Sequence, residues 1–245
     1  MASIEISEEH GVRYLHFGST LVQGAMRIAR PWSLELEYTR EMMMPLLLRP
    51  APEWPATVLQ VGLGSASVTR FLYRYRPGSK ITVVEILPAV VAAARQFFKL
   101  PDDPARLRIE TGDGHDFMAA TRRRFDLILL DGFDDQGRPG MLDTLPFFLN
   151  CRERLAERGL MASNLLSHRR SITGTVNRIR AAFDDRLLVL PPSAPGNTVA
   201  LASRAILLGA CPSDLRAAAL KLRADTGLDL QPTLQRLERS IDSYK

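Results

Sequence analysis

The chain has 245 residues, 46% hydrophobic, 24% charged and 7% aromatic, with 16 Gly and 16 Pro. These values exclude a disordered, collagen-like or coiled-coil chain, and the length is ample for a real core. Lys and Arg number 32 against 27 Asp and Glu, a net charge of +5, too small to argue for nucleic acid without a localised patch.

Residues 1–30 are rich in β-formers. Val12–Phe17 and Leu21–Ile28, separated by Gly18, read as antiparallel strands. Glu5, Glu8 and Glu9 stand where a signal peptide would need positive charge and then an apolar run. No apolar run approaches the ~18 residues of a membrane span, so the expectation is a cytoplasmic protein without membrane contact. Ser33 is expected to cap a helix running to about Leu48, with Glu35 and Glu37 in its favourable first turn and Pro45 forcing a kink or an early stop. Met42, Met43 and Met44 read as core packing on that helix.

From Thr57 onward, short apolar runs alternate with helical periods. Thr57–Val61, Lys80–Glu85, Leu107–Glu110, Phe125–Leu130 and Gly159–Leu165 are apolar on consecutive positions, as parallel strands buried on both faces are. Val68, Phe71, Leu72 and Tyr75 form one helical stripe, and Pro88 opens the next helix, where its missing N–H costs nothing. Arg122, Arg123 and Arg124 precede the fourth strand and read as a solvated helix end rather than a phosphate clamp. Leu187–Leu190 and Val199–Leu208 follow as strands. Leu215, Ala219 and Leu222, then Leu234, Leu237 and Ile241, mark two closing helices. The expected fold is α/β: a doubly wound, mostly parallel sheet over residues 51–245, preceded by a small N-terminal β segment and linking helix over 1–50.

Four strand ends carry the chemistry. Val61-Gly62-Leu63-Gly64-Ser65 runs from a strand into a turn at a helix start, where glycines allow close approach and free N–H groups await a ligand. The third glycine of the dinucleotide fingerprint is absent, with Ser67 in its place. Glu85, 23 residues after Gly62, ends the next strand, where an acid can take both ribose hydroxyls of a nucleoside. Gly112-Asp113-Gly114 follows the third strand; its carboxylate can accept from an adenine amino group between glycines that admit a flat ring. Asp131-Gly132-Phe133-Asp134-Asp135 follows the fourth. Ligands of open parallel sheets sit beyond the carboxyl ends of the strands, so the four motifs should converge on one crevice. Residues 131–143 hold Asp131, Asp134, Asp135 and Asp143 against Arg138, an acidic mouth on a basic protein. Asp favoured by turns is the simpler explanation to weigh for Asp134 and Asp135.

These motifs resemble the spermidine synthase (polyamine aminopropyltransferase) family, from roughly Gly18 to Arg204. The resemblance rests on Val61-Gly62-Leu63-Gly64-Ser65, Val84-Glu85-Ile86, Gly112-Asp113-Gly114-His115-Asp116-Phe117 and Asp131-Gly132-Phe133-Asp134. It extends to Leu142-Asp143-Thr144-Leu145-Pro146-Phe147-Phe148 and Ala200-Leu201-Ala202-Ser203. It implies an S-adenosylmethionine-dependent methyltransferase-like sheet behind a small β-domain, and decarboxylated S-adenosylmethionine as donor. Glu85 would then meet the ribose, with Ile86 beside it, and Asp113 and Gly114 the adenine. Gly62, Gly64 and Ser65 would form the donor loop, Gln23 would match a glutamine over the donor, and Asp131 would be the catalytic carboxylate; Asp134, three positions on in the same loop, could help hold a cationic amine and take its proton. It also implies a homodimer, in keeping with an N-terminal segment too small for its own core.

Three positions depart from the family pattern. Ser65 replaces an acid that binds the donor's terminal amine. Thr39-Arg40-Glu41 stands for Tyr-His-Glu, bringing a cation toward the amine site. Asn197-Thr198-Val199 stands where members often carry an aromatic residue. The sequence therefore supports a spermidine synthase-like transferase acting on an amine such as putrescine, with the donor as co-substrate and no tightly bound cofactor. Its alternatives are an S-adenosylmethionine-dependent methyltransferase and a non-catalytic nucleoside-binding relative. His10, His16, His115 and His168 lack metal-ligand spacing, and Cys151 and Cys211 read as reduced thiols.

Overall fold

The computed structural model describes residues 4–18, 22–134, 136–166, 171–192, 196–205 and 211–242. Strands β1 (Ile4–Glu9), β2 (Val12–Phe17) and β3 (Val22–Arg27) form an antiparallel sheet in that order. The first of them was not expected. Ile4 and Ile6 alternate with polar residues, and the strand pairs with β2 along its whole length.

The main sheet holds β4 (Thr57–Val61), β5 (Lys80–Glu85), β6 (Leu107–Thr111), β7 (Phe125–Leu130), β8 (Leu155–Leu166), β9 (Leu187–Val189) and β10 (Asn197–Ser203). Their order is β6-β5-β4-β7-β8-β10-β9. The pairs among β4 to β8 are parallel, and β10 runs antiparallel between β8 and β9. The chain leaves β4 toward β5 on one side and later returns to β7 on the other, which makes the β4/β7 boundary the topological switch point. Asp126 ties the opposite ends of these two strands together, its Oδ2 accepting from the Ala56 and Thr57 N–H groups at 3.0 and 2.9 Å.

Consecutive strand residues face opposite layers, so apolar residues are needed at every position. Leu127 and Leu129 join one core with Val58, Ile81 and Val83; Ile128 and Leu130 join the other with Leu59 and Val61. The first layer is covered by α3 (Ser67–Tyr75), α4 (Pro88–Phe97), α8 (Pro212–Thr226) and α9 (Gln231–Asp242), and the second by α5 (Gly114–Ala120), α6 (Leu145–Arg154) and α7 (Thr173–Ala182). The doubly wound, mostly parallel sheet with a small N-terminal β-sheet is therefore present as expected.

Several boundaries differ. The helix expected from Ser33 to Leu48 is two short pieces, α1 (Glu37–Glu41) and α2 (Pro45–Leu48), and Leu36 rather than Ser33 is the N-cap. Pro45 has no N–H to continue the first piece and instead opens the second. The three preceding methionines are fully buried, as expected for core residues. Strand β8 begins at Leu155, directly at the end of α6, because Leu155 pairs with Phe125 across a bulge. The last predicted strand ends at Ser203; its expected continuation to Leu208 extends into positions outside the described residues, as does Leu21.

Candidate active site

The crevice is built on a contact that only glycine permits. Gly62 has φ +88°, and a Cβ there would lie 2.2 Å from the Asp131 carbonyl oxygen. The Asp131 N–H donates to the Val61 carbonyl at 2.9 Å, so the ends of β4 and β7 are locked side by side. Gly64, at φ +51°, lies under β3: its Cβ position is 3.3 Å from the Gln23 carbonyl. Sequence-distant Gln23 is thereby set over the glycine loop.

Glu85 is buried at the end of β5. Its Oε2 accepts from the Leu63 N–H at 2.8 Å and its Oε1 from the Leu87 N–H at 2.9 Å. Burial pushes its carboxyl above the usual range, opposed by the N–H groups of Leu63, Leu87, Ile86 and Gly64. Through the Leu63 and Leu87 N–H groups the carboxylate acts as a clamp on the glycine loop. Beside it the Ile86 side chain is 59% exposed, an apolar surface at the rim.

Asp113 caps α5, its Oδ1 accepting from the His115 N–H at 2.7 Å. Gly114 follows it because Val61 Cγ1 lies 2.4 Å from where a Cβ would be. Gly112 has open space at the same point. The strand ends thus bring Gly62, Gly64, Glu85, Ile86, Asp113, Gly114 and Asp131 to one edge of the sheet.

Ser65, expected at the donor, is only 2% exposed. Its hydroxyl hydrogen-bonds Ser67 Oγ at 2.8 Å and donates to the Ala25 carbonyl at 3.4 Å, and a Cβ on Gly24 would lie 2.4 Å from it. The side chain is engaged by β3. The acid expected by the family pattern is replaced here by a hydroxyl that seals the loop against the N-terminal sheet.

Asp131 is half-buried and takes two uncharged partners. Its Oδ2 accepts from the Tyr38 hydroxyl at 3.1 Å and its Oδ1 from Asn164 Nδ2 at 2.9 Å. Burial pushes the Asp131 carboxyl above its ordinary value, and these two donors hold it back in part. Burial and then the neighbouring carboxylate push the Tyr38 phenol well above its ordinary value, so it remains a donor at neutral pH. The result is a desolvated carboxylate with no cation on it among the described residues, the arrangement suited to accepting a proton.

Two acids of the expected acidic mouth are paired in the fold. Asp134 Oδ1 accepts from the N–H groups of Gln136 and Arg138 at 2.9 and 2.8 Å, and its Oδ2 from Arg138 Nε at 2.7 Å. Slight burial would raise its carboxyl, but the Arg138 and Gln136 contacts outweigh that and lower it. Asp143 is forked by Arg178 from α7, with Nε 3.1 Å from Oδ1 and Nη2 on Oδ2, and accepts from Thr175 at 3.0 Å. A cleft of about 700 Å³ is lined by Phe133, Asp134, Arg138, Asp143, Asn164 and Arg178, among others. Its two described acids are each neutralised; Asp135 lies outside the described residues. Arg40 is likewise occupied, donating to the Leu34 and Glu35 carbonyls at 2.7 and 3.0 Å.

Sequence reasoning missed Tyr38, Asn164 and Arg178. Asn164 stands near the carboxyl end of the next parallel strand, where the rule that located Asp131 applies equally. Tyr38 directly precedes the Thr39-Arg40-Glu41 segment already singled out. Arg178 had no local signal.

The spermine/spermidine synthase domain model matches residues 36–204. The polyamine aminopropyltransferase of Chromobacterium violaceum is 35% identical over 98% of this chain and 91% of its own length. Among solved structures, a probable spermidine synthase from Corynebacterium glutamicum has a TM-score of 0.74 at 20% identity, covering 90% of this chain and 83% of that one. A spermidine synthase in complex with the transition-state analogue AdoDATO has a TM-score of 0.61 at 18% identity, covering 92% and 88%. The two structures share the fold; the domain match and the near full-length relative decide the kinship. This chain belongs to the spermine/spermidine synthase domain family.

Proposed function

We propose that the chain transfers an aminopropyl group from decarboxylated S-adenosylmethionine to an amine such as putrescine. The observation that carries this reading is Asp131, a desolvated carboxylate at the switch point, held by Tyr38 and Asn164 and bearing no cation among the described residues. The nucleoside lies along the strand ends, its ribose on Glu85 and its adenine between Ile86 and Asp113. The amine's lone pair attacks the methylene beside the sulfonium. The C–N bond forms as the C–S bond breaks, sulfur keeps the electron pair as the thioether of methylthioadenosine, and the nitrogen's proton passes to Asp131. Positioning and this proton transfer are what the protein adds.

Asp131→Asn keeps the shape and the Tyr38 contact but cannot take the proton. Turnover should fall by about 10²–10⁴, with the affinity for methylthioadenosine in calorimetric titration unchanged. Full turnover of the variant with every polyamine acceptor tried would end this reading.

One observation favours a second reading. With Ser65 in place of an acid, the glycine loop presents no negative charge to repel the carboxylate of intact S-adenosylmethionine, as a methyltransferase requires. Parallel titrations with intact and decarboxylated S-adenosylmethionine separate the two, because the preferred donor names the reaction.

A further inference from the structure

Helix α1 is a single five-residue turn, and its N-cap makes no side-chain hydrogen bond. A helix so short does not hold itself in water, yet it carries Tyr38, which touches Asp131. Its position must come from outside. Residues Glu37 and Glu41 lie one turn apart on it, and a single guanidinium from α9 meets both: Arg236 Nη1 is 3.6 Å from Glu37 Oε1, and Arg236 Nη2 pairs with Glu41 Oε1. Glu41 is only 1% exposed. A carboxylate so deep is tolerated only when paired, which makes the contact obligatory rather than incidental. Tyr38 sits between the two clamped acids.

The clamp itself is anchored. Leu234 and Leu237 of α9, with Leu230 just before it, are buried in the core that includes Met42, Met43, Met44, Leu46 and Leu47. Arg236 also donates to Thr233 within its own helix at 3.3 Å. Helix α9 lies beyond residues 36–204, the stretch matched by the family model.

We infer that Arg236 is a positioning residue that acts through α1 to set the Tyr38 hydroxyl against Asp131, so that the C-terminal helix governs proton acceptance at the active site. This rests on the reading of Asp131 as the base. Among the described residues, Tyr38 and Asn164 are the side chains bonded to the carboxylate, and neither is charged at neutral pH. The charged groups among the described residues include the Asp134–Arg138 pair in the following loop and the Glu37, Glu41 and Arg236 group on α1 and α9. Without the Tyr38 donor, Asp131 holds its proton to higher pH, and the acidic limb of the rate profile moves up.

The test compares Arg236→Gln, Tyr38→Phe and the double variant with wild type, in aminopropyl transfer at saturating donor across pH. Arg236→Gln should lower kcat by roughly 10- to 100-fold, the scale of a small misplacement, and raise the acidic limb. The donor's Kd should not move. Tyr38→Phe should raise the limb alike, and the double variant no further, because both changes remove one contact. If Arg236→Gln does not fold, Glu41→Gln with Arg236→Gln, which leaves no buried charge unpaired, is read in the same way. A folded variant with a lower Tm but wild-type kcat and limb would make Arg236 a mere brace and overturn the inference, as would shifts that add to those of Tyr38→Phe. Full activity of Asp131→Asn would instead remove the underlying reading, whatever Arg236 does.

Discussion

Gly62 and Asp131 touch through their backbones: the missing side chain of the first is filled by the carbonyl oxygen of the second, 2.2 Å from where a Cβ would stand. The glycine loop and the strand end that carries the carboxylate are thus one rigid piece, further fixed by the Asp131 N–H on Val61. A shift of either would carry the other with it.

Gly62→Ala should therefore damage both stability and binding. The new methyl would overlap backbone that cannot swing away, at a φ of +88° that L-residues avoid. A loss of more than about 2 kcal/mol in urea unfolding is expected, with weaker binding of methylthioadenosine. Gly112→Ala is the contrast. Its Cβ meets nothing within 4 Å, so stability should change by less than about 1 kcal/mol. Equal damage from the two substitutions would show that the contact is not the reason for Gly62.

Glu85→Gln should weaken every adenosyl ligand by about 1.5–3 kcal/mol, the scale of hydrogen bonds to a charged group. The structure adds a second consequence. The carboxylate also holds the Leu63 and Leu87 N–H groups, and an amide presents an N–H of its own to one of them. The glycine loop should loosen, visible as faster amide hydrogen exchange at Leu63 and Leu87. Unchanged affinity for methylthioadenosine would take Glu85 out of the ligand site and leave it as a clamp.

Ser65→Asp would restore the acid of the family pattern. In the fold, a larger charged side chain must enter a space already filled by Gly24, Ser67 and the Ala25 carbonyl. The expected outcome is a loss of stability of about 1–3 kcal/mol, from overpacking and an uncompensated polar group, read in denaturant. An unchanged unfolding midpoint together with tighter binding of the decarboxylated donor would show that a side chain at 65 turns into the crevice.

Much of this site was legible in the chain because local rules suffice for it. A buried parallel strand needs consecutive apolar residues, a tight turn at its end needs glycine, and ligands gather at such ends. Those rules located Gly62, Gly64, Glu85, Asp113 and Asp131 at one edge. They located the Pro45 break as well, because a proline's missing N–H acts on its own neighbours.

What surrounds those residues was decided by the tertiary structure. The hydrogen bond from Tyr38 to Asp131 spans 93 positions, that from Asn164 spans 33, the Arg178 fork on Asp143 spans 35 and the Arg236 contact with Glu41 spans 195. Counting acids along residues 131–143 gave a negative mouth, since the guanidinium that neutralises Asp143 arrives from a helix more than thirty positions away. Ser65 reads as part of a donor loop along the chain, since β3, which covers its side chain, is forty positions earlier. Electrostatic character and side-chain freedom belong to neighbours in space, and a pattern read along the chain contains only neighbours in sequence.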